Sequence, residues 1–161
     1  MKSSWKVLLV VGLVVLMWGN IWGMNKEKAT IKVAINGETF GKGTASIILD
    51  NSVPVAAIQL EIKFQPESVE PVKVEVSKDI GKAFSVSYKI KSGKLKILLY
   101  SLQGEVISPG KGEVIKIAYK RKDEVYTSKE NLFTIKKVIL SDIRAESIPC
   151  KVIKKELEGE F

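Results

Sequence analysis

The residue types that most often do chemistry in proteins are scarce in this chain. Its 161 residues include no histidine and a single cysteine, Cys150. Without an imidazole there is no histidine base to activate a nucleophile and no histidine ligand for zinc. One cysteine cannot form an internal disulfide or complete a zinc site. The sequence therefore predicts a protein that is not an enzyme and holds no cofactor.

Three other patterns have a chemical interpretation, and each also has a simpler one. The segment from Gly110 to Gly112 lacks the spacing of a phosphate-binding loop and the helix that would follow it, which favours a hairpin loop. Asp50, Asp142 and Glu146 are candidate calcium ligands, but single carboxylates in turns usually accept local backbone hydrogen bonds. Glutamates alternate with lysines along the chain, so no opposed pair of carboxyls for glycoside hydrolysis is predicted. No metal site is predicted.

The net charge of +8 comes from 26 Lys and Arg against 18 Asp and Glu. The lysines are interspersed with Glu, Val and Ile along strand-like runs and form no basic cluster in the sequence. This favours a solvated surface over a nucleic-acid site.

The first 24 residues have the composition of an export signal. Lys2 and Lys6 precede a run of apolar residues and one glycine from 7 to 18, as in a secretory signal peptide. Large residues stand two positions before the candidate cleavage glycines, so an uncleaved anchor helix over residues 7–24 is the alternative. Both interpretations predict a secreted or cell-envelope protein, which meets a membrane only through this segment and only if it is uncleaved. The predicted organisation is a signal or anchor at 1–24, a linker at 25–29, one domain at 30–155 and a tail at 156–161.

From residue 30 onward the hydrophobic period is close to two. In residues 58–64, for example, four apolar side chains alternate with Gln59, Glu61 and Lys63 before Pro66 ends the strand. The predicted strands are 30–35, 43–50, 55–64, 69–76, 83–90, 94–100, 113–120, 132–140 and 150–155. Turns are predicted at Asn36-Gly37 and at Ser92-Gly93. The pattern predicts an all-β fold, an antiparallel sandwich of about nine strands, for which a jelly roll is a common topology.

Both faces of the strand at 94–100 are partly apolar. Alternation sends one set of side chains into the core: Leu95, Ile97 and Leu99. The other face then receives Lys96, Leu98 and Tyr100, which is the best indication of a partner-binding surface in the sequence. Tyr88 lies on the apolar phase of its own strand and is predicted to be buried.

Several segments resemble cohesin domains. Residues 55–66 with 69–72 are similar to the third and fourth strands of that family, residues 93–101 with 107–115 to the sixth and seventh, and residues 138–142 to the exit of the eighth. The resemblance spans about residues 30–155. It implies a nine-stranded jelly-roll sandwich that binds a dockerin-like protein in an extracellular assembly linked to polysaccharide degradation.

The resemblance also implies a binding face on the sheet that contains the third, fifth, sixth and eighth strands. The expected face residues are Gln59, Glu61, Lys63, Ser85, Ser87, Lys89, Lys96, Leu98, Tyr100, Thr134 and Lys136. Among them Leu98 and Tyr100 are the expected apolar anchors. Two alternative functions remain: a carbohydrate-binding module, disfavoured because all three tryptophans lie in the first 24 residues, and a self-associating envelope protein.

Overall fold

The computed structural model describes residues 27–39, 41–122 and 132–154. In this part of the chain there are ten strands and one turn of 3-10 helix at Lys78–Ile80. The strands are β1 (Ala29–Thr39), β2 (Lys42–Asn51), β3 (Ala57–Phe64), β4 (Val69–Val76), β5 (Phe84–Lys91), β6 (Lys94–Ser101), β7 (Gly110–Arg121), β8 (Phe133–Ser141), β9 (Ser147–Ile148) and β10 (Cys150–Val152).

The strands form two five-stranded sheets. The back sheet has the order β10-β1-β2-β7-β4, and the front sheet has the order β5-β6-β3-β8-β9. The chain passes repeatedly from one sheet to the other, since β3, β5, β6, β8 and β9 belong to the front sheet and the strands between them to the back sheet. This alternation is the arrangement expected of a jelly roll.

The prediction of an all-β sandwich is confirmed, with three corrections. The described residues contain ten strands and not nine, and the additional one is the short β9, which was not predicted. The sandwich is not wholly antiparallel, since β10 runs parallel to β1. The turn predicted at Asn36-Gly37 is wrong: β1 continues to Thr39, and the glycine falls where the register with β2 shifts.

The two ends of the chain bear on the predicted leader and tail. The expected signal or anchor helix at 7–24 and the tail at 156–161 lie outside the described residues. Among the residues that are described, no helix is long and apolar enough to cross a membrane.

The core lies between the sheets and follows the predicted alternation. Ile58, Leu60 and Ile62 on β3 are almost completely buried, and so are the inward-facing residues of its neighbour β6. At one end of the core, Phe133 on β8 contacts Tyr119 of the back sheet edge to face, with ring centroids 5.3 Å apart. Burying each of these large apolar side chains contributes about 1.5–3 kcal/mol to folding.

A tight hairpin fixes the register between β5 and β6. Ser92 and Gly93 both have positive φ, 49° and 73°, as the primed two-residue turns of hairpins require. Gly93 also accepts a hydrogen bond from the backbone N–H of Phe64, at 2.9 Å, which ties the turn to β3. The predicted Ser92-Gly93 turn is therefore present, and it sets which side chains of the two strands lie side by side.

Candidate functional site

The outward side of the front sheet is built from four rows of side chains that run across β5, β6, β3 and β8. We call this surface the front face. The pairing register sets the rows as follows: Ser85, Tyr100, Ala57 and Ser141; Ser87, Leu98, Gln59 and Ile139; Lys89, Lys96, Glu61 and Lys137; and Lys91, Lys94, Lys63 and Thr134.

The structure brings the residues expected on the binding face together on this one surface. Gln59, Lys63, Ser85, Ser87, Lys89, Lys96 and Leu98 are exposed, while Glu61, Tyr100 and Thr134 are partly covered by their neighbours. Lys136 is also exposed, but it occupies a bulge. It is the extra residue where the β3–β8 register shifts, so Lys137 and not Lys136 stands opposite Glu61.

Sequence reasoning missed four residues of this region. Lys137 and Ile139 take outward positions only because the bulge at Lys136 reverses the phase of β8. Leu102 and Ile143, in the turns that follow β6 and β8, are 84% and 73% exposed. The apolar character of these two turn residues was visible in the sequence, but their position beside the front face was not.

The prediction that Tyr88 is buried is wrong, since 41% of its surface is exposed. Tyr88 lies on the core side of β5 by alternation, opposite Ile97 of β6. However, β5 is the edge strand of the front sheet, and Ile90 on the same side is likewise 41% exposed. Periodicity gives the side of a sheet on which a residue lies, but it does not show whether the second sheet covers that position.

The electrostatics of the front face are dominated by lysine. Glu61 is the single carboxylate in the four rows of the front face. One of its oxygens lies 3.4 Å from Lys94 Nζ and the other 3.8 Å from Lys96 Nζ. Both ion pairs are solvent-exposed on the lysine side, so each contributes at most about 1 kcal/mol.

Two of the three candidate calcium ligands, Asp142 and Glu146, lie in the same turn. Asp142 Oδ1 accepts backbone hydrogen bonds from Arg144 and Glu146, both at 2.9 Å, which matches the turn interpretation. No group of three or more histidine, cysteine or acidic residues that could hold a metal ion occurs in the described ranges. Burial, with a smaller effect of Glu27, raises the pKa of the Cys150 thiol to about 11, so the thiol is protonated at neutral pH.

The back sheet contains a polar network centred on Glu113. Its carboxylate accepts hydrogen bonds from the hydroxyls of Ser46 and Ser77, and Asn36 donates to the Ser46 hydroxyl. Burial alone would raise the pKa of Glu113, but the hydrogen bonds from both serines together with Lys116 outweigh it, and the pKa lies below the ordinary value of 4.5. Ser46 and Ser77 are themselves buried, so the network stabilises the sheet rather than presenting a reactive group.

Glu113→Gln should lower the free energy of unfolding by about 1–2 kcal/mol at pH 7, because charge-assisted hydrogen bonds are lost. A carboxylate whose pKa is depressed by folding stabilises the folded state above its unfolded pKa, and this contribution disappears as the pH falls through the folded pKa. The difference from the unsubstituted chain should therefore shrink below pH 4.5. Urea unfolding at pH 7 and pH 3 measures it, with the exposed Glu105→Gln as the control expected to show no such difference.

Comparison with known proteins gives the family. The model of the cohesin domain matches residues 27–156, which is most of the chain. The chain belongs to the cohesin-domain family. Cohesin domains are non-catalytic modules that bind dockerins. No curated protein matches the sequence.

Solved cohesin structures share the fold at low sequence identity. A non-cellulosomal cohesin from the archaeon Archaeoglobus fulgidus has a TM-score of 0.61 at 14% identity, covering 78% of this chain and 86% of that one. A type II cohesin from Bacteroides cellulosolvens has a TM-score of 0.64 at 15% identity, covering 79% and 96%. A type I cohesin–dockerin complex from Clostridium thermocellum has a TM-score of 0.60 at 15% identity, covering 80% and 90%. These similarities establish the cohesin fold.

Proposed function

We propose that this cohesin domain docks a dockerin-like partner protein on its front face, outside the cytoplasm, in an extracellular or cell-envelope assembly. The observation that carries the proposal is the outward surface of the front sheet, on which the exposed Leu98 and the partly exposed Tyr100 lie on β6, beside the central strand β3. Cohesins of the same fold occur in complex with dockerins, which supports a protein as the partner. We further propose that residues 1–24 export the domain, as a signal or as an anchor, and that the assembly acts on polysaccharide.

The physical basis of docking is the combination of rigidity with exposed apolar groups. Leu98 is 42% exposed and Ile139 is 37% exposed, and Gln59 stands between them in the same row. The backbone of paired strands is already ordered, so binding costs little backbone freedom and more of the burial energy appears as affinity. Tyr100 adds an aromatic group, a residue type common among interface hot spots.

Replacing both Leu98 and Tyr100 by Ala should weaken capture of the partner by at least about 10-fold, as expected when interface anchors are truncated. The test is a pull-down from the culture supernatant and solubilised envelope of the source organism, followed by titration of the recovered protein. The matched control is Val72→Ala, an exposed apolar residue of β4 in the back sheet, which should leave capture unchanged. Equal capture by the double variant, with thermal unfolding also unchanged, would refute the front face as the docking surface.

Two further measurements address the other functions. Retention of the protein by insoluble polysaccharide in the absence of any partner would favour a carbohydrate-binding module. Concentration-dependent light scattering by the purified protein alone would favour a self-associating envelope subunit. The docking proposal expects neither result.

A further inference from the structure

We propose that the partner presents an acidic surface continuous with an apolar one, oriented along the strands so that its acidic part covers the end of the front face nearest the Ser92-Gly93 hairpin. This inference rests on the proposed function, because it specifies the chemistry of the partner that the same surface would accept. It is carried by the separation of apolar and basic side chains into the two halves of the front face.

The half farther from the hairpin carries no charge. Its two rows hold three serines and Gln59 beside the apolar residues that give it the name apolar half. Leu98 and Ile139 lie in one row and Tyr100 in the next. Strands β6 and β8 are both antiparallel to β3, so their C-terminal ends lie at the same end of the sheet, beside Ala57. The turns that follow them add Leu102 and Ile143, the two most exposed large apolar side chains among the described residues. Exposed apolar side chains therefore also occur just beyond the end of the apolar half, in the two turns.

The half nearest the hairpin is basic. Six lysines occupy its two rows with a single carboxylate, Glu61. The pairing register also sets lysines directly opposite one another in three places, Lys63 with Lys94, Lys91 with Lys94, and Lys89 with Lys96. Like charges directly opposite in a sheet are destabilising. The ion pairs of Glu61 with Lys94 and Lys96 offset part of this repulsion in the free domain, and an anionic partner surface would offset the rest.

The back sheet shows that this arrangement is not a requirement of the fold or of the overall basic composition. There, among the described residues, three lysines stand opposite acids and only one pair of lysines is directly opposed, Lys42 with Lys120. Lys111 is opposite Asp50, Lys116 opposite Glu75, and Lys120 opposite Glu70. Each of these three lysines therefore has an acid opposite it in the back sheet, whereas the six lysines of the front face share one carboxylate, Glu61. Charge complementarity consequently points to an acidic partner for the front face alone.

A protein fits this surface better than a nucleic acid does. The basic half contains lysines but no arginine and no aromatic side chain, whereas binding of single-stranded nucleic acid relies on stacking platforms beside the basic groove. The apolar half is continuous with the basic half, and a folded protein segment can present apolar and acidic side chains together at matching positions.

The test is a selection from a yeast-displayed library of amphipathic helical peptides with no net-charge bias, against the full chain held in a mild non-ionic detergent. Selection is repeated on a front-face variant, Lys63→Glu with Lys89→Glu and Lys137→Glu. The matched control carries the same change at three exposed lysines on or beside the back sheet, Lys28, Lys42 and Lys151. A fourth target carries Leu98→Ser with Ile139→Ser, which removes two exposed apolar side chains of the apolar half. It tests whether binding uses the front face at all.

Peptides selected on the unsubstituted chain should be more acidic than the starting library, and those selected on the front-face variant should be more basic. A representative acidic peptide should bind the front-face variant at least about 10-fold more weakly, and the back-sheet control within about 2-fold, because screened surface charges act locally. Its affinity for the unsubstituted chain should fall about 10-fold between 50 and 500 mM salt.

The remaining outcomes would each contradict the proposal in a different way. Binders that depend on Leu98 and Ile139 but show no acidic bias would overturn the acidic partner while leaving the docking face intact. Binders indifferent to every front-face change, or no binders at all, would overturn both. Binding of single-stranded oligo(dT) or of vesicles with 30% phosphatidylserine, lost in the front-face variant and as tight as that of the peptides, would overturn the assignment of the basic half to a protein.

Discussion

Leu99→Ala should lower the free energy of unfolding by about 2–5 kcal/mol, whereas Leu98→Ala should change it by less than about 0.5 kcal/mol. The two substitutions remove the same atoms from adjacent positions of β6. Leu99 points into the core from the inner side of the front sheet and is completely buried, while Leu98 is 42% exposed on the front face. The Leu99 substitution leaves a cavity in close-packed surroundings, and the Leu98 substitution only exchanges one solvated surface for another.

Chemical denaturation of both variants beside the unsubstituted chain measures this difference. The same pair links stability to function, because Leu98→Ala is expected to weaken partner capture without loss of stability. Similar losses of stability for the two variants would mean that the front face is covered within the folded protein. In that case the exposed sheet could not be the docking surface.

The phase of the strands was predictable because it depends on local alternation. The inward set of β6 and the apolar residues from Ile58 to Phe64 were assigned to the core from the sequence alone, and they are buried. The turn at Ser92-Gly93 was predictable for a similar reason, since glycine tolerates the positive φ that a two-residue hairpin needs. Each of these features is determined within a few residues of chain.

The pairing of strands was not predictable from alternation, and the composition of the site depends on it. Lys137 and Ile139 reach the front face because of the bulge at Lys136. The alternation in residues 132–140 does not predict this bulge. The parallel pair of β1 with β10 joins strands that are more than 100 residues apart. The local period of two carries no information about either feature.

The same limit explains the interpretation of charge. In the sequence the lysines are dispersed, which favoured a uniformly solvated surface. The register gathers Lys63 from β3, Lys89 from β5 and Lys96 from β6 into one half of the front face. A basic cluster in a sheet forms across strands, so it can be absent from the sequence pattern and present in the fold.

Phe133→Ala should lower the free energy of unfolding by about 3–5 kcal/mol, the cost typical of removing a buried aromatic ring. Phe133 is 4% exposed. Its ring centroid lies 5.3 Å from that of Tyr119 in the back sheet and 6.4 Å from that of Phe64, its partner on β3. The ring therefore joins the two sheets at the end of the core from which Lys63 and Thr134 project to the front face.

The control for this substitution is Tyr119→Phe, which keeps the ring contact and removes only a hydroxyl whose hydrogen bond to Glu38 is long, at 3.4 Å. It should cost less than about 1 kcal/mol, in line with the net value of a typical hydrogen bond. Guanidinium unfolding of both variants gives the comparison. If Phe133→Ala were as stable as Tyr119→Phe, the ring contact would not hold the sheets together, and the rigidity attributed to the front face would lose its support at this end of the sandwich.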